Sequence, residues 1–501
     1  MLFLSRHLKL FLMIGVFIWL TACGGSSNNP APESSILYVD NRSSGGSGTA
    51  NAPFATLAQA QLVAGDGDTI YVANGDGTST GLDTGLVLDL ANISVIGEGV
   101  ALVVDGVTLV AAGTAPTITN ATGAGITLNA ADNILIAGLT IDGVASDGLV
   151  INDSTAVRLQ AVIISNSGRS AIKGAGADVG LTLSDVTIDT VDVVNPSVSD
   201  DAIHIAATTS SSLVMSGGTI NGVPGNLGDG IVLKNTDTAN PVTMNLDIRG
   251  VNFSNIAQDG IKLENNNGVA QVRIGGATAL EGNIFDVGFR GIKIQTDADP
   301  TLNRINRILI QNNSIISTNE GVQIRSVADR TNLSILDNVL SRGLAAVSKD
   351  LIDLQAESSS TTQARINRNE INNLTGSDGV KIRVFDAATL TMEAFNNSID
   401  GPLEGFDFDV IETNAGAIDN TTLNASVLNN TLTTIADQAM NAGNANATSS
   451  ICMDLQGNTT APPDYVADVA LGSFMLTAAS QTIVFASGSS MGVGPCPLPV
   501  F

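Results

Sequence analysis

The sequence predicts an all-β chain wound as a parallel β-helix, a solenoid of short stacked strands. Three observations predict it. A five-residue phrase, acidic or polar, then commonly small, then apolar-x-apolar, recurs at intervals of 23 to 31 residues. Within each phrase the apolar places alternate with period two, the pattern of a strand with one buried face. Beyond the first twenty residues no segment keeps a long helical period, while Gly, Thr, Asn and Asp are abundant.

The phrase reads Asp147-Gly148-Leu149-Val150-Ile151, then Asp201-Ala202-Ile203-His204-Ile205 and Asp229-Gly230-Ile231-Val232-Leu233. It returns as Asp259-Gly260-Ile261-Lys262-Leu263, Arg290-Gly291-Ile292-Lys293-Ile294 and Glu320-Gly321-Val322-Gln323-Ile324. Three more copies start at Asp350, Asp378 and Glu404. Ser170-Ala171-Ile172-Lys173-Gly174 departs from it only at the last apolar place. A repeat of this length is one coil that cannot bury its apolar face alone and must stack on its neighbours.

A second phrase runs in step with the first, as in Ile308-Leu309-Ile310-Gln311-Asn312-Asn313 and Leu333-Ser334-Ile335-Leu336-Asp337-Asn338. It sets Asn283, Asn313, Asn338, Asn369, Asn397 and Asn430 at one place in successive coils, where earlier coils carry Leu139, Val162 and Val186. Asparagine tolerates left-handed turn geometry and bonds nearby backbone groups, so an asparagine ladder at a turn of the later coils is expected. Leu333-x-Ile335-x-x-Asn338-x-Leu340 also fits a leucine-rich repeat, but the rest of each repeat holds a second strand phrase instead of a helix. An outer-membrane barrel needs aromatic girdles at both interfaces, and 18 aromatic residues in 501 are too few.

The N-terminal phrases Tyr38-Val39-Asp40, Pro53-Phe54-Ala55-Thr56-Leu57 and Gly67-Asp68-Thr69-Ile70-Tyr71-Val72 carry a resemblance. With the coils, they make the chain similar to the pectin-lyase-like, right-handed parallel β-helix family over roughly residues 36–450. The resemblance implies a right-handed solenoid and a short N-terminal capping helix. Phe54, Leu57 and Leu62 would lie on one side of that helix and cover the open apolar end, which would otherwise invite aggregation.

Arg6, His7 and Lys9 precede an apolar run ending in Leu20-Thr21-Ala22-Cys23, which resembles the bacterial lipobox. The implied parts are a lipoprotein signal peptide (1–22), a Gly/Ser/Asn/Pro tether (23–35), an N-terminal cap with the first strands (36–80), coils (81–450) and a C-terminal cap (451–501). Cys23 would carry the lipid and anchor the protein in the cell envelope, as an outer-membrane lipoprotein displayed at the cell surface. Cys452 and Cys496 are the two remaining cysteines; in an oxidising compartment they read as one disulfide closing a 43-residue loop. Such a loop stabilises a fold by about 4 kcal/mol on a chain-entropy estimate.

Loss of Arg6 and Lys9 with the signal peptide leaves 20 basic against 48 acidic residues, a formal charge of −28. That balance argues against nucleic acid and anionic lipid headgroups as partners and permits divalent cations, cationic partners or neutral glycans. His204 is the single histidine of the mature chain, which excludes a histidine-cluster metal site. No cofactor is indicated; calcium is left open, with no calcium-binding motif present.

The middle residue of each phrase points outward, and stacking builds these residues into a column that includes His204, Lys262, Lys293, Gln323, Asp353, Lys381 and Asp407. Two residues on, Lys234, Glu264, Gln295, Arg325, Gln355, Arg383 and Asp409 form a second column. Lys262, Glu264, Lys293, Arg325, Lys381 and Arg383 are the candidate ligand-binding residues of this stripe. For catalysis the weak candidates are Lys262 and Lys293, as bases if neighbouring cations lower their pKa, and Arg290, which with Arg325 would hold a substrate carboxylate. Glu264 and Asp259 would be cation ligands. The signature phrases of pectate lyases, mannuronan epimerases and polygalacturonases are absent or only mimicked, as by Asn235-Thr236-Asp237. Two functions remain: an adhesin-like or glycan-binding rod with a polysaccharide or cell-surface receptor as partner, and a polysaccharide lyase or related enzyme acting along this face.

Overall fold

A computed structural model describes residues 35–191, 200–222, 228–235, 237, 239–297, 304–343, 349–372, 376–411, 420–444, 449–460, 465–469, 473–479, 483–485 and 491–493. The body is a parallel solenoid whose strands fall into three ladders. The first ladder is made by the recurring acidic phrase. Its register sets Lys173 beside His204, Val232 beside Lys262, Lys262 beside Lys293, Gln323 beside Asp353, and Lys381 beside Asp407. The second ladder is made by the second phrase and pairs Ile308 with Leu333 and Ile335 with Ile366. A third ladder of 13 short strands runs from Thr117–Ile118 to Thr459–Thr460.

The register follows from the alternation, because slipping one strand by one residue would turn its apolar set to solvent. Ile203, Ile231, Ile261, Ile292, Val322 and Ile352 stack as one fully buried file of the core. Phe253 and Phe285 lie stacked in the third ladder, ring centroids 4.5 Å apart. The expected asparagine ladder forms, and it runs one rung further, to Asn458. Each Asn side-chain amide donates to the carboxamide oxygen of the next coil at 2.8–3.0 Å, from Asn283 to Asn458. Each also donates to a strand carbonyl, for example Asn338 to Ile310 at 3.0 Å, so no ladder amide is buried unsatisfied. The turn chemistry differs from expectation in one detail. The left-handed residues are those just before the ladder, Asn312, Asp337, Arg368, Asn396 and Asn429, with φ of 55–57°. That turn aims the following asparagine into the coil.

The N-terminal helix α1 spans Leu57–Val63 and is closed by a capping box between Thr56 and Gln59. Phe54, Leu57 and Ala60 are its buried contacts, whereas Leu62 is 86% exposed. The expectation for Leu62 is therefore corrected. Residues three apart share a helix face, which selects Ala60 as the partner of Leu57 and turns Leu62 to the far side. An antiparallel hairpin, Leu102–Val104 with Val107–Val110, interrupts the parallel pattern. Its Asp105-Gly106 turn has positive φ at both residues, the geometry that matches strand twist, and the Asp-Gly pair between apolar runs was its sequence signal. Val103, Val107 and Leu109 of this hairpin are exposed.

The ladders continue past the boundary expected at residue 450. Ser450–Gln456 pairs with Thr422–Leu428, Ser473–Ala479 with Ser450–Gln456, and Met491–Val493 with Ser473–Ala479. Ile451, Met453 and Leu455 are buried at the apolar places, and here the intervening Asp454 is buried too. Cys452 is buried; Cys496 and the expected lipidation site Cys23 lie outside the described residues.

Candidate functional site

The first ladder presents the predicted stripe on its outward face. Both columns are assembled as the alternation requires, Lys234 beside Glu264, Gln295 beside Arg325, and Gln355 beside Arg383. Arg290, Lys293, Gln295, Gln323, Arg325 and Gln355 border a polar groove of about 310 Å³.

The electrostatics of the stripe are set by partners one coil away. Arg290 grips Asp259 with two hydrogen bonds, at 2.7 and 3.0 Å, and donates to Gln323 at 2.8 Å. Lys293 donates to Glu264 at 3.1 Å, and Lys262 lies 3.5 Å from Asp229 and 3.8 Å from Glu264. Arg325 binds both oxygens of Glu357 at 2.9 and 2.7 Å. Arg383 donates to Asp353 at 2.6 Å, and the same carboxylate accepts from Gln323 at 3.0 Å and Gln355 at 2.8 Å. Lys381 contacts Asp407 and lies 2.7 Å from Asp409. Every cation predicted for the site is present, and each already has a carboxylate partner.

Two expectations are corrected by this pairing. Lys262 was to be a base with lowered pKa. Burial does pull its ammonium down, but Asp229, Glu264, Asp259 and Asp201 outweigh burial and hold the pKa above the ordinary lysine value. Arg290 and Arg325 were to hold a substrate carboxylate; the protein supplies those carboxylates itself, as Asp259 and Glu357. Glu264 and Asp259 serve as partners of lysine and arginine. Burial would raise the Glu264 carboxyl, yet Lys262 and Lys293 hold it below its usual value.

The phrases' leading acids form a further file, of which sequence reading assigned a role to Asp259 alone. Asp229 accepts the Asp259 backbone N–H at 2.8 Å, Asp201 that of Asp229 at 2.9 Å, and Asp350 that of Asp378 at 3.2 Å. These carboxylates hold coil to coil. Burial, with repulsion from neighbouring acids, pushes Asp229 and Asp350 up to about 6 and Glu404 up to about 7. The recurrence of an acid at the head of each phrase was the available signal. His204, in the outward column, shares a 2.6 Å hydrogen bond with Asp201 of this file. Asp378, Glu404 and Asp407 bring carboxylate oxygens within 4.8 Å of one another, as a cation site would. The Lys381 ammonium, against Asp407 and 3.9 Å from Asp378, already supplies positive charge there.

Three parallel ladders closed around an apolar core, with a polar stripe along one of them, define a right-handed parallel β-helix. The family model for the right handed beta helix region matches residues 124–304. No curated protein matches the chain. Among solved structures, PfbA, a surface adhesin of Streptococcus pneumoniae, aligns at 12% identity over 77% of this chain and 87% of its own, with a TM-score of 0.39. A PL6 alginate lyase in complex with a trisaccharide aligns at 10% identity over 90% of this chain and 88% of its own, with a TM-score of 0.34. A GH136 lacto-N-biosidase from Eubacterium ramulus aligns at 10% identity over 92% and 68%, with a TM-score of 0.29. At these identities no residue role is carried from them to this chain.

Proposed function

We propose that the protein is a lipid-anchored rod of the cell envelope that binds a neutral polysaccharide along its first ladder. The observation that supports this reading is the saturation of the stripe. Lys262, Lys293, Arg325, Lys381 and Arg383 each face a carboxylate from their own or an adjacent coil. A saturated stripe offers rows of amide and ion-pair hydrogen-bonding groups at strand spacing with little net charge, which suits sugar hydroxyls better than carboxylates. An acidic glycan would have to displace Asp353, Glu357 or Asp407 from its partner. Binding is tested on glycan arrays with the mature protein and a Gln295→Ala/Gln355→Ala variant. The reading requires neutral glycans to be retained by the wild type and lost by the variant; retention of uronate glycans alone would refute it. Anchoring rests on the Leu20–Cys23 lipobox, and Cys23→Ser should abolish partition into detergent.

The second reading, a glycan-active enzyme, is favoured by Glu404: burial and Asp378 push its carboxyl up to about 7, so it keeps its proton on part of the molecules at neutral pH, as a general acid must. Depolymerisation of any polysaccharide by the wild type, and its loss in Glu404→Gln with the melting temperature unchanged, would establish that reading in place of the first.

A further inference from the structure

The outward face of the second ladder carries charge of another kind. Consecutive strands Val242–Arg249, Gly268–Gly275 and Asn306–Gln311 pair in parallel there, setting Asn245 beside Gln271, Gln271 beside Arg307, and Asp247 beside Arg273. Together with Val214 from the preceding coil, these side chains border an open groove of about 380 Å³. Asp247 is engaged: Arg249 donates its Nε to it at 2.6 Å. Arg273 uses only its Nε, on the Gly275 carbonyl at 3.3 Å. Among the described residues neither Arg273 nor Arg307 forms an ion pair, in a chain with a formal charge of −26.

We infer that this groove is a binding site for a carboxylated sugar, a uronate residue within a glycan. Arg273 and Arg307 sit one coil and two residues apart, about 8 Å between Cα atoms by strand geometry, so both guanidinium groups reach one small anion. Their planar forks match a carboxylate with two parallel hydrogen bonds each. The half-buried Val214 side chain offers an apolar surface for the C–H face of a sugar ring, and the amides of Asn245 and Gln271 face its hydroxyls. The acidic total does not exclude the ligand. Screening limits distant charges to about 8 Å at physiological ionic strength, and Asp247, the carboxylate in the groove, is neutralised by Arg249. This site lies on a different ladder from the stripe and stands whether or not the stripe binds glycan.

The test is calorimetric titration of the full-length protein in detergent with short oligomers of galacturonate, glucuronate and mannuronate. Neutral galactose oligomers and sulfated galactose oligomers are titrated beside them. At least one uronate series should bind, more weakly as salt rises. Arg273→Gln/Arg307→Gln should weaken it by about tenfold or more, the effect of losing charge-assisted hydrogen bonds, with the melting temperature unchanged. Arg42→Gln, an exposed arginine near the N-terminal helix, should leave it unchanged. Absence of binding to every uronate, equal binding by the double variant, or tighter binding of the sulfated series would overturn the assignment. Binding of the neutral series alone, abolished by Gln295→Ala/Gln355→Ala, would support the stripe while refuting the groove.

Discussion

The two outward faces are built from the same backbone at the same spacing, yet the arginines of the stripe and the two arginines of the groove meet different surroundings. On the first ladder Arg290, Arg325 and Arg383 are each held by a carboxylate, Asp259, Glu357 and Asp353, contributed by a neighbouring coil. On the second ladder Arg273 and Arg307 flank a groove with no ion pair of their own among the described residues. In a solenoid the partner of a charge is chosen by the coil above or below. Exposure alone therefore says little about availability: the Arg325 side chain is 42% exposed and doubly bonded.

The largest effect should come from breaking a buried pair on the first ladder. Arg290→Ala leaves Asp259, 2% exposed, without its cation and should cost about 3–5 kcal/mol in chemical denaturation. Arg307→Ala removes an exposed unpaired group and should stay within about 0.5 kcal/mol. Equal losses would erase the distinction between the faces.

The asparagine ladder ranks next. Asn338→Ala removes the acceptor of the Asn313 N–H and side-chain amide and the donor to Ile310, each costing about 1–3 kcal/mol when left buried and unsatisfied. A loss near 3 kcal/mol or more is expected by the same denaturation assay, and an unchanged midpoint would mean that the rungs are not cooperative with the coils.

The acid file gives the first ladder a pH dependence. Asp229 and Asp350, raised to about 6, and Glu404, raised to about 7, hold protons more tightly folded than unfolded. Their favourable contribution is complete below the unfolded carboxylate range and is lost as pH rises through about 6 to 7. Melting temperature should fall from about pH 4.5 to pH 8, and Asp350→Asn should flatten the curve. A rise over that interval would contradict the burial of the file.

The smallest effect should be Arg325→Ala, whose partly exposed pair contributes about 0–1 kcal/mol. A loss well above that, measured against Glu357→Ala in a double-mutant cycle, would make the pair part of the rod's scaffold.

How much of this was legible in the sequence depends on its range along the chain. Period-two alternation fixed which residues point outward, so Lys262 beside Lys293 and Gln355 beside Arg383 could be written down in advance. The asparagine register was legible for the same reason. What each outward charge touches was not. Arg290 and Asp259 are 31 residues apart, Arg383 and Asp353 are 30 apart, and side-chain rotamers decide those meetings. The groove escaped notice because Arg307 aligns with Gln271 and not with Arg273, so no repeated phrase marks the pair. Leu62 was misplaced because seven helical residues give too little periodicity to orient a face.

The difference between the faces is tested most directly by the rate at which each arginine of the native protein reacts with phenylglyoxal, followed by peptide mapping in a mass spectrometer. Free guanidinium groups react and carboxylate-bound ones are protected. Arg273 and Arg307 should be modified well before Arg290, Arg325 and Arg383, and added oligouronate should slow the first pair alone. Equal rates across the two sets, or faster modification of Arg325 than of Arg307, would contradict the account.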